Sequence, residues 1–142
     1  MILCDVNILI YALRDDAERH TEFRDWLQQR VEAHEGYGVS DLVLGGLLRI
    51  VTNPRTFRRP TAFATALAFA ETLRSRPNAV TIAPGARHWG IFKELCERAS
   101  ARGNLVPDAY FAALAIESGC EWITADRGYA RFPGLRWRHP LE

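Results

Sequence analysis

Apolar positions along the chain change their spacing several times, and each change marks an element. Ile2, Leu3 and Cys4 form a short apolar run that ends at Asp5, and VNILIYALRDD behind it mixes helical with strand spacing. A strand from Ile2 and a helix from about Asn7 are predicted. Within residues 20–34, Phe23, Trp26, Leu27 and Val31 fall on one stripe with charge opposite, the pattern of an amphipathic helix. YGVS reads as a brief strand after the turn at Glu35-Gly36. Ser40 is then an N-cap for a helix DLVLGGLLRIV that Asn53-Pro54 ends. Residues 61–75 favour helix by propensity, and Arg76-Pro77-Asn78 stops them before a strand over residues 80–82. Residues 89–101 form another helix. Gly103-Asn104 breaks the chain, Pro107 starts the next helix and Gly119 closes it. EWIT is a buried strand, ADRGYARF a turn with a short helical piece, and LRW a last strand before His139-Pro140.

Strands separated by helices indicate an α/β fold with a central, mainly parallel β-sheet flanked by α-helices. The 142 residues, 48% of them hydrophobic, suffice for one sizeable core, so residues 1–142 are read as a single domain. A formal net charge of +1 gives no global basic field, which moves any search for a nucleic-acid surface to local patches. Lys93 is the only lysine, so nearly every cation is an arginine, a planar fork suited to phosphate as well as a mark of genomic base composition. Cys4, Cys96 and Cys120 are odd in number and far apart, against a disulfide framework or zinc site, and fit a reducing cytoplasm. The apolar runs are too short for a bilayer, and no membrane partner is expected.

Three aspartates fall where a parallel sheet builds its ligand crevice. Asp5 ends the first strand, Asp108 lies at the start of the helix after NLVP, and Asp126 follows WIT with only Ala125 between. Taken singly, each is a strand-end cap, a helix N-terminal acid or a turn former. Brought to one edge, they would repel unless a cation neutralised them, and oxygen-only ligands select a hard ion such as Mg²⁺ or Mn²⁺.

The D-x-N of the opening segment, LLRIVTNPR, NLVPDAYFAALAIESG and ITADRGYARFPGLRW together resemble the PIN-domain ribonucleases, and among them the VapC toxins of type II toxin-antitoxin pairs. The resemblance spans nearly the whole chain. It implies metal-assisted hydrolysis of an RNA phosphodiester, with Asp5 and Asp108 on the metal and Asp126 on a second ion or the attacking water. Asn7 and Thr124 would hold carboxylates and waters in place. It further implies an RNA substrate, a VapB-type antitoxin whose C-terminal segment blocks the cleft, and a homodimer of toxin subunits. The chain departs from the family pattern at Gly46, which stands where the family usually has a glutamate just before the apolar-apolar-Arg of LLR.

Two successive glycines inside a helix, Gly45 and Gly46, each cost roughly 1 kcal/mol against alanine. They mark close packing, a kink or the missing carboxylate. Asp41 lies on the same helix about a turn and a half earlier, pointing away from position 46, and is discounted as a replacement ligand. Arg49, Arg55, Arg58 and Arg59 cluster with Phe57 beside this helix, where they fit RNA phosphates with an aromatic for an unpaired base, or a solvated helix end. His20, His34, His88 and His139 share no ligand spacing and are expected in solvated or capping roles, and Trp26, Trp89, Trp122 and Trp137 as core anchors, Trp137 the most exposed. A haloacid-dehalogenase-type phosphatase or a receiver domain would also begin with a strand-end aspartate, but each wants a lysine that Lys93, in mid-helix, does not supply. The alternative from another class is a catalytically weakened PIN-like module that binds RNA or antitoxin through a site incomplete at Gly46.

Overall fold

Five short strands, every adjacent pair parallel, form the centre of the computed structural model, which describes residues 1–142. In chain order the elements are β1 (Ile2–Cys4), α1 (Val6–Leu13), α2 (His20–Glu32), β2 (Tyr37–Val39), α3 (Asp41–Val51), α4 (Phe63–Ser75), β3 (Ala79–Thr81), α5 (His88–Ala99), α6 (Leu105–Ser118) and β4 (Glu121–Ile123). A 3₁₀ turn over Arg127–Arg131 and β5 (Trp137–Arg138) complete the chain. The spatial order is β3-β2-β1-β4-β5. The chain therefore steps outward from β1 on one side and later returns to the other, so that β1 and β4 meet at the point where the winding reverses. Loops leaving the carboxyl ends of two such strands diverge and leave a crevice between them. Leu3 registers with Trp122 and Cys4 with Ile123, which sets Asp5 and Thr124 just past neighbouring strand ends.

The boundaries shift in informative ways. α1 begins at Val6, with Asp5 as its extended N-cap residue, one position earlier than the apolar spacing indicates. α6 begins at Leu105, so Pro107 occupies its first turn, where a missing N–H costs nothing because that donor has no helical partner. α5 spans His88–Ala99 and ends on Ser100 in the left-handed region at φ 49°. α6 ends on Gly119 at φ 72°, as expected of a glycine C-cap. Ser40 caps α3 by accepting the Val43 N–H.

α1 packs against α2 and α3, α3 against α4, and α5 against α6. Ala109, Ala112, Ala113 and Ala115 are fully buried. Their small size lets α6 approach its neighbours closely while alanine supplies the best helix propensity. Trp122, with 0% exposure, stacks on Phe111 at a ring separation of 5.5 Å and meets Tyr129 at 5.5 Å, carrying the core up to the edge where the aspartates lie. Trp26 is also buried and Trp137 half-buried. Trp89 is not a core anchor: it is 69% exposed and meets Phe92, one turn along the same helix, at a ring separation of 5.4 Å. His88 departs from its expected solvated role in the opposite sense, being buried with Nε2 at 3.0 Å from the Tyr110 carbonyl oxygen. No helix is long and apolar enough to cross a membrane.

The two glycines of α3 differ. A Cβ on Gly45 would meet nothing within 4 Å, whereas one on Gly46 would stand 3.3 Å from Val6 Cγ2. Close packing therefore accounts for Gly46 in part and for Gly45 not at all. Gly45→Ala is expected to stabilise the protein by about 0.5–1 kcal/mol, read as a Tm higher by a few degrees. A Tm that falls would mean that a neighbour covers this face of α3.

Candidate active site

β1 and α1 position Asp5 between a buried strand end and a helix start, and the carboxylate turns inward. It is 8% exposed. Rather than capping α1, its Oδ2 accepts from Thr124 Oγ1 at 2.7 Å and from Asn7 Nδ2 at 3.2 Å. Asn7 Nδ2 also reaches Thr124 Oγ1 at 3.2 Å, its Oδ1 accepts the Ala125 N–H at 3.3 Å, and Thr124 Oγ1 accepts the Asp126 N–H at 3.0 Å. Asn7 and Thr124 thus tie the end of β1 to the segment leaving β4. The side chains of Asp5, Asn7 and Thr124 form one network, which Asp126 joins through its backbone N–H.

Burial pushes the Asp5 carboxyl up to about 6, opposed by the Thr124 hydrogen bond and reinforced by the charges of Asp108 and Asp126. Burial also raises Asp108, with the Tyr129 hydrogen bond opposing and the Asp126 charge adding to the rise. Asp5, Asp108 and Asp126 therefore act on one another electrostatically, as convergence at one sheet edge requires. They do not close into a group of three ligands around one point. Asp126 is engaged elsewhere: its Oδ1 accepts the Gly128 N–H at 2.8 Å and caps the 3₁₀ turn. The arrangement is an open acidic crevice beside the N-terminal ends of α1 and α6, whose dipoles favour negative charge.

Tyr129 completes this crevice and has no clear sequence signal, since an aromatic in a turn after a strand is ordinarily a core anchor. Its phenol is 2% exposed and donates to Asp108 Oδ1 at 3.3 Å. Burial, helped by the surrounding carboxylates, holds its ionisation far above neutrality, so it remains a donor. Arg14 is a second residue the spacing does not reveal. Its guanidinium, 7% exposed, forks onto Asp16, donates to Thr61 Oγ1 at 3.1 Å and to the Arg59 carbonyl oxygen at 3.1 Å, and lies 3.7 Å from the centre of the Phe57 ring. It pins the segment after α3 against α1.

That segment carries Arg55, Arg58 and Arg59, all exposed, with Arg49 exposed on α3, and none of the four is in an ion pair. Phe57 is half-buried, and one of its faces is covered by Arg14, which narrows the stacking role expected of it. Asp41 does not compensate for Gly46. It pairs with Arg74 at 2.7 Å, and that hydrogen bond holds its carboxyl below the usual range. Gly46 shares a groove with Val6, Val106 and Pro107, next in sequence to Asp5 and Asp108.

Comparison with known proteins agrees with this architecture. The PIN domain family model matches residues 2–135. Ribonuclease VapC43 of Mycobacterium tuberculosis is 43% identical over 142 residues, covering 100% of this chain and 97% of the relative. Ribonuclease VapC25 of the same organism is 38% identical over 140 residues, 99% of each chain. Among solved structures, VapBC2 from Rickettsia felis, bound to a DNA fragment from its promoter, matches with a TM-score of 0.68 at 19% identity, covering 98% of each chain. VapC20 of Mycobacterium tuberculosis, a Sarcin-Ricin loop cleaving toxin, matches with a TM-score of 0.62 at 16% identity, covering 96% of this chain and 99% of that one. At those identities the structural matches speak for the fold, while the full-length sequence matches speak for descent. The chain belongs to the PIN-domain family, in its VapC branch.

Proposed function

We propose that the protein is a metal-dependent endoribonuclease, the toxin of a type II toxin-antitoxin pair. The observation that carries this reading is the buried Asp5 carboxylate, coupled to Asp108 and Asp126 and held by Thr124 and Asn7. The donor set fits a hard divalent cation. It consists of carboxylate oxygens in an open crevice, and Mg²⁺ keeps several of its waters and needs only one or two direct protein carboxylates. Asp5 and Asp108 would hold the ion. When bound, Mg²⁺ or Mn²⁺ supplies Lewis-acid polarisation of the phosphoryl oxygen and acidifies a water.

The chain's own residues supply orientation. Thr124 and Asn7 fix one oxygen of Asp5 and Tyr129 fixes one of Asp108, while Asp126 would orient the attacking water or a second ion. Arg49 on α3 and Arg55, Arg58 and Arg59 on the segment that follows offer exposed phosphate contacts. The homology to proteins named VapC ribonucleases supports RNA as substrate, and the VapBC assemblies of the same fold support a VapB-type antitoxin as partner. Leu42 and Trp89, 53% and 69% exposed, offer apolar surface for a homodimer.

A second reading follows from Gly46: a module with a weakened site that binds RNA or antitoxin without cutting. Incubation of the purified protein with RNA and Mn²⁺, with and without excess EDTA, separates the two. Endonucleolytic fragments that disappear with chelator are expected. Undiminished cutting in EDTA would remove the metal from the reading, and binding without cutting in Mn²⁺ would favour the weakened module.

A further inference from the structure

A cavity of about 620 Å³ opens beside the acidic crevice, bounded at one end by Asn7 and Ala125, which touch Asp5 and precede Asp126. It runs along α1 past Ile10 and Tyr11, with Phe23 and His139 on its wall and Ile50, Thr56 and Phe57 contributed from α3 and the segment behind it. That volume lies within the range of small-ligand pockets, enough for one nucleotide unit. Part of its wall is aromatic, and the rings pack on one another. Tyr11 and Phe23 meet at 5.1 Å, and Phe23 and His139 at 5.8 Å. Phe57 carries the Arg14 guanidinium on one face, and both line the cavity.

Hydrogen-bonding groups on this wall are uncommitted. His139 Nδ1 accepts the Leu141 N–H at 3.2 Å, so the neutral ring carries its proton on Nε2, free to donate. The Tyr11 and Thr56 hydroxyls make no hydrogen bond within the chain, although the Tyr11 carbonyl oxygen is engaged by His20. Aromatic faces with a few unengaged donors and acceptors are how proteins hold an unstacked base and read its edge. Charge agrees. Asp16 is neutralised by Arg14, and the segment that supplies Thr56 and Phe57 carries the unpaired Arg55, Arg58 and Arg59.

We infer that this cavity is a base-binding subsite that holds one unstacked nucleobase of a single-stranded RNA segment, next to the phosphate presented to Asp5 and Asp126, with Tyr11 and His139 as specificity-determining residues. The inference rests on the ribonuclease reading for its place in a reaction, but its binding half can be measured without catalysis. The full chain, isotope-labelled at isoleucine methyls, is titrated with the 5′-monophosphates of adenosine, cytidine, guanosine and uridine. Saturating shifts of the Ile10 and Ile50 methyls are expected, with one or two bases preferred. Tyr11→Ala is expected to weaken the preferred nucleotide by about tenfold, in keeping with base–aromatic stacking. His139→Ala is expected to flatten the preference among bases, and thermal melts confirm that both variants are folded. Tyr11→Phe, which keeps the ring, is expected to retain stacking and lose only discrimination.

In the second arm, cut sites in total bacterial RNA are mapped with Mn²⁺ for the same variants, and His139→Ala is expected to broaden the base preference beside the cut. No methyl shift with any nucleotide at millimolar concentration, or shifts identical in wild type and both alanine variants, would overturn the subsite. A wild type that binds nucleotides in the cavity but cuts no RNA would sink the ribonuclease reading and leave the subsite standing. A wild type that cuts with a base preference untouched by either alanine variant would do the reverse. Methyl shifts seen only on adding the antitoxin would give the cavity to that protein and overturn the inference.

Discussion

Asp5→Asn is expected to abolish RNA cleavage, by three orders of magnitude or more, and at the same time to raise the stability of the metal-free protein. Loss of activity follows from the site: Asp5 is the most buried of the three acids and the one Thr124 and Asn7 orient. The gain in stability follows from linkage. Burial raises the Asp5 carboxyl from 3.8 to about 6. Between those values the folded state binds more protons than the unfolded one, so stability declines as pH rises through that window and levels off above it. Two pKa units correspond to about 3 kcal/mol, the order of the cost carried at neutral pH. Asparagine keeps an acceptor for Thr124 and removes the buried charge. Asp108 is raised in the same direction and adds to the trend, whereas Asp16 and Asp41 are lowered by their arginine partners and stabilise above their unfolded values, an effect lost as pH falls. Both of those pairs are exposed on their acidic side and weigh little. Melts in EDTA at pH 5.5 and 7.5 check the expectation: the wild type should lose stability between them and the variant much less. A folded variant that still cuts RNA, or one that melts below wild type at pH 7.5, would displace Asp5 from the centre of the site.

Such a trade of stability for a charged crevice also explains what could be read from the sequence. Asp5, Asp108 and Asp126 were legible because they sit at element boundaries, where strand ends and helix starts are marked by changes of hydrophobic period. Asn7 and Thr124 were legible only through the family pattern, since a polar residue near a strand end is ordinary in itself, and their cross-links span the whole chain. The parallel order of the sheet followed from the alternation of elements. Tyr129 and Arg14 were not legible, because their roles depend on partners distant in sequence, Asp108 for one and Phe57, Thr61 and Arg59 for the other. The same holds for Glu117, whose carboxylate accepts the Gly85 and Arg87 N–H groups and is held below its usual range chiefly by the first. Trp89 misled for a different reason: composition rewards burial of tryptophan, but whether a helix face is covered is decided by what packs on it. The Ser40 cap and the Asn53-Pro54 stop placed α3 correctly despite two glycines, and the helix holds because Val43, Leu44, Leu47 and Val51 bury a continuous stripe that outweighs them.

Gly46→Glu is expected to tighten Mn²⁺ binding by about tenfold, in the range by which residues around a metal site change its affinity. Position 46 opens onto a groove bounded by Val6 and Pro107, each adjacent to an acid of the crevice, so a glutamate there has a path between Asp5 and Asp108. Its charge would raise the attraction for the cation, and its helix propensity exceeds that of glycine by several tenths of a kcal/mol. Two effects oppose the gain. A Cβ at 3.3 Å from Val6 Cγ2 obliges the valine to give by a few tenths of an ångström, and a fourth acid raises repulsion in the metal-free state. Stability without metal is therefore expected to change little, while the added stability from saturating Mn²⁺ should grow. Calorimetric titration with Mn²⁺ and melts with and without it separate these effects. A variant that is stable but binds Mn²⁺ no better than wild type would show that position 46 does not face the ion, and that the glycine serves the packing of α3 on α1 rather than marking a lost ligand.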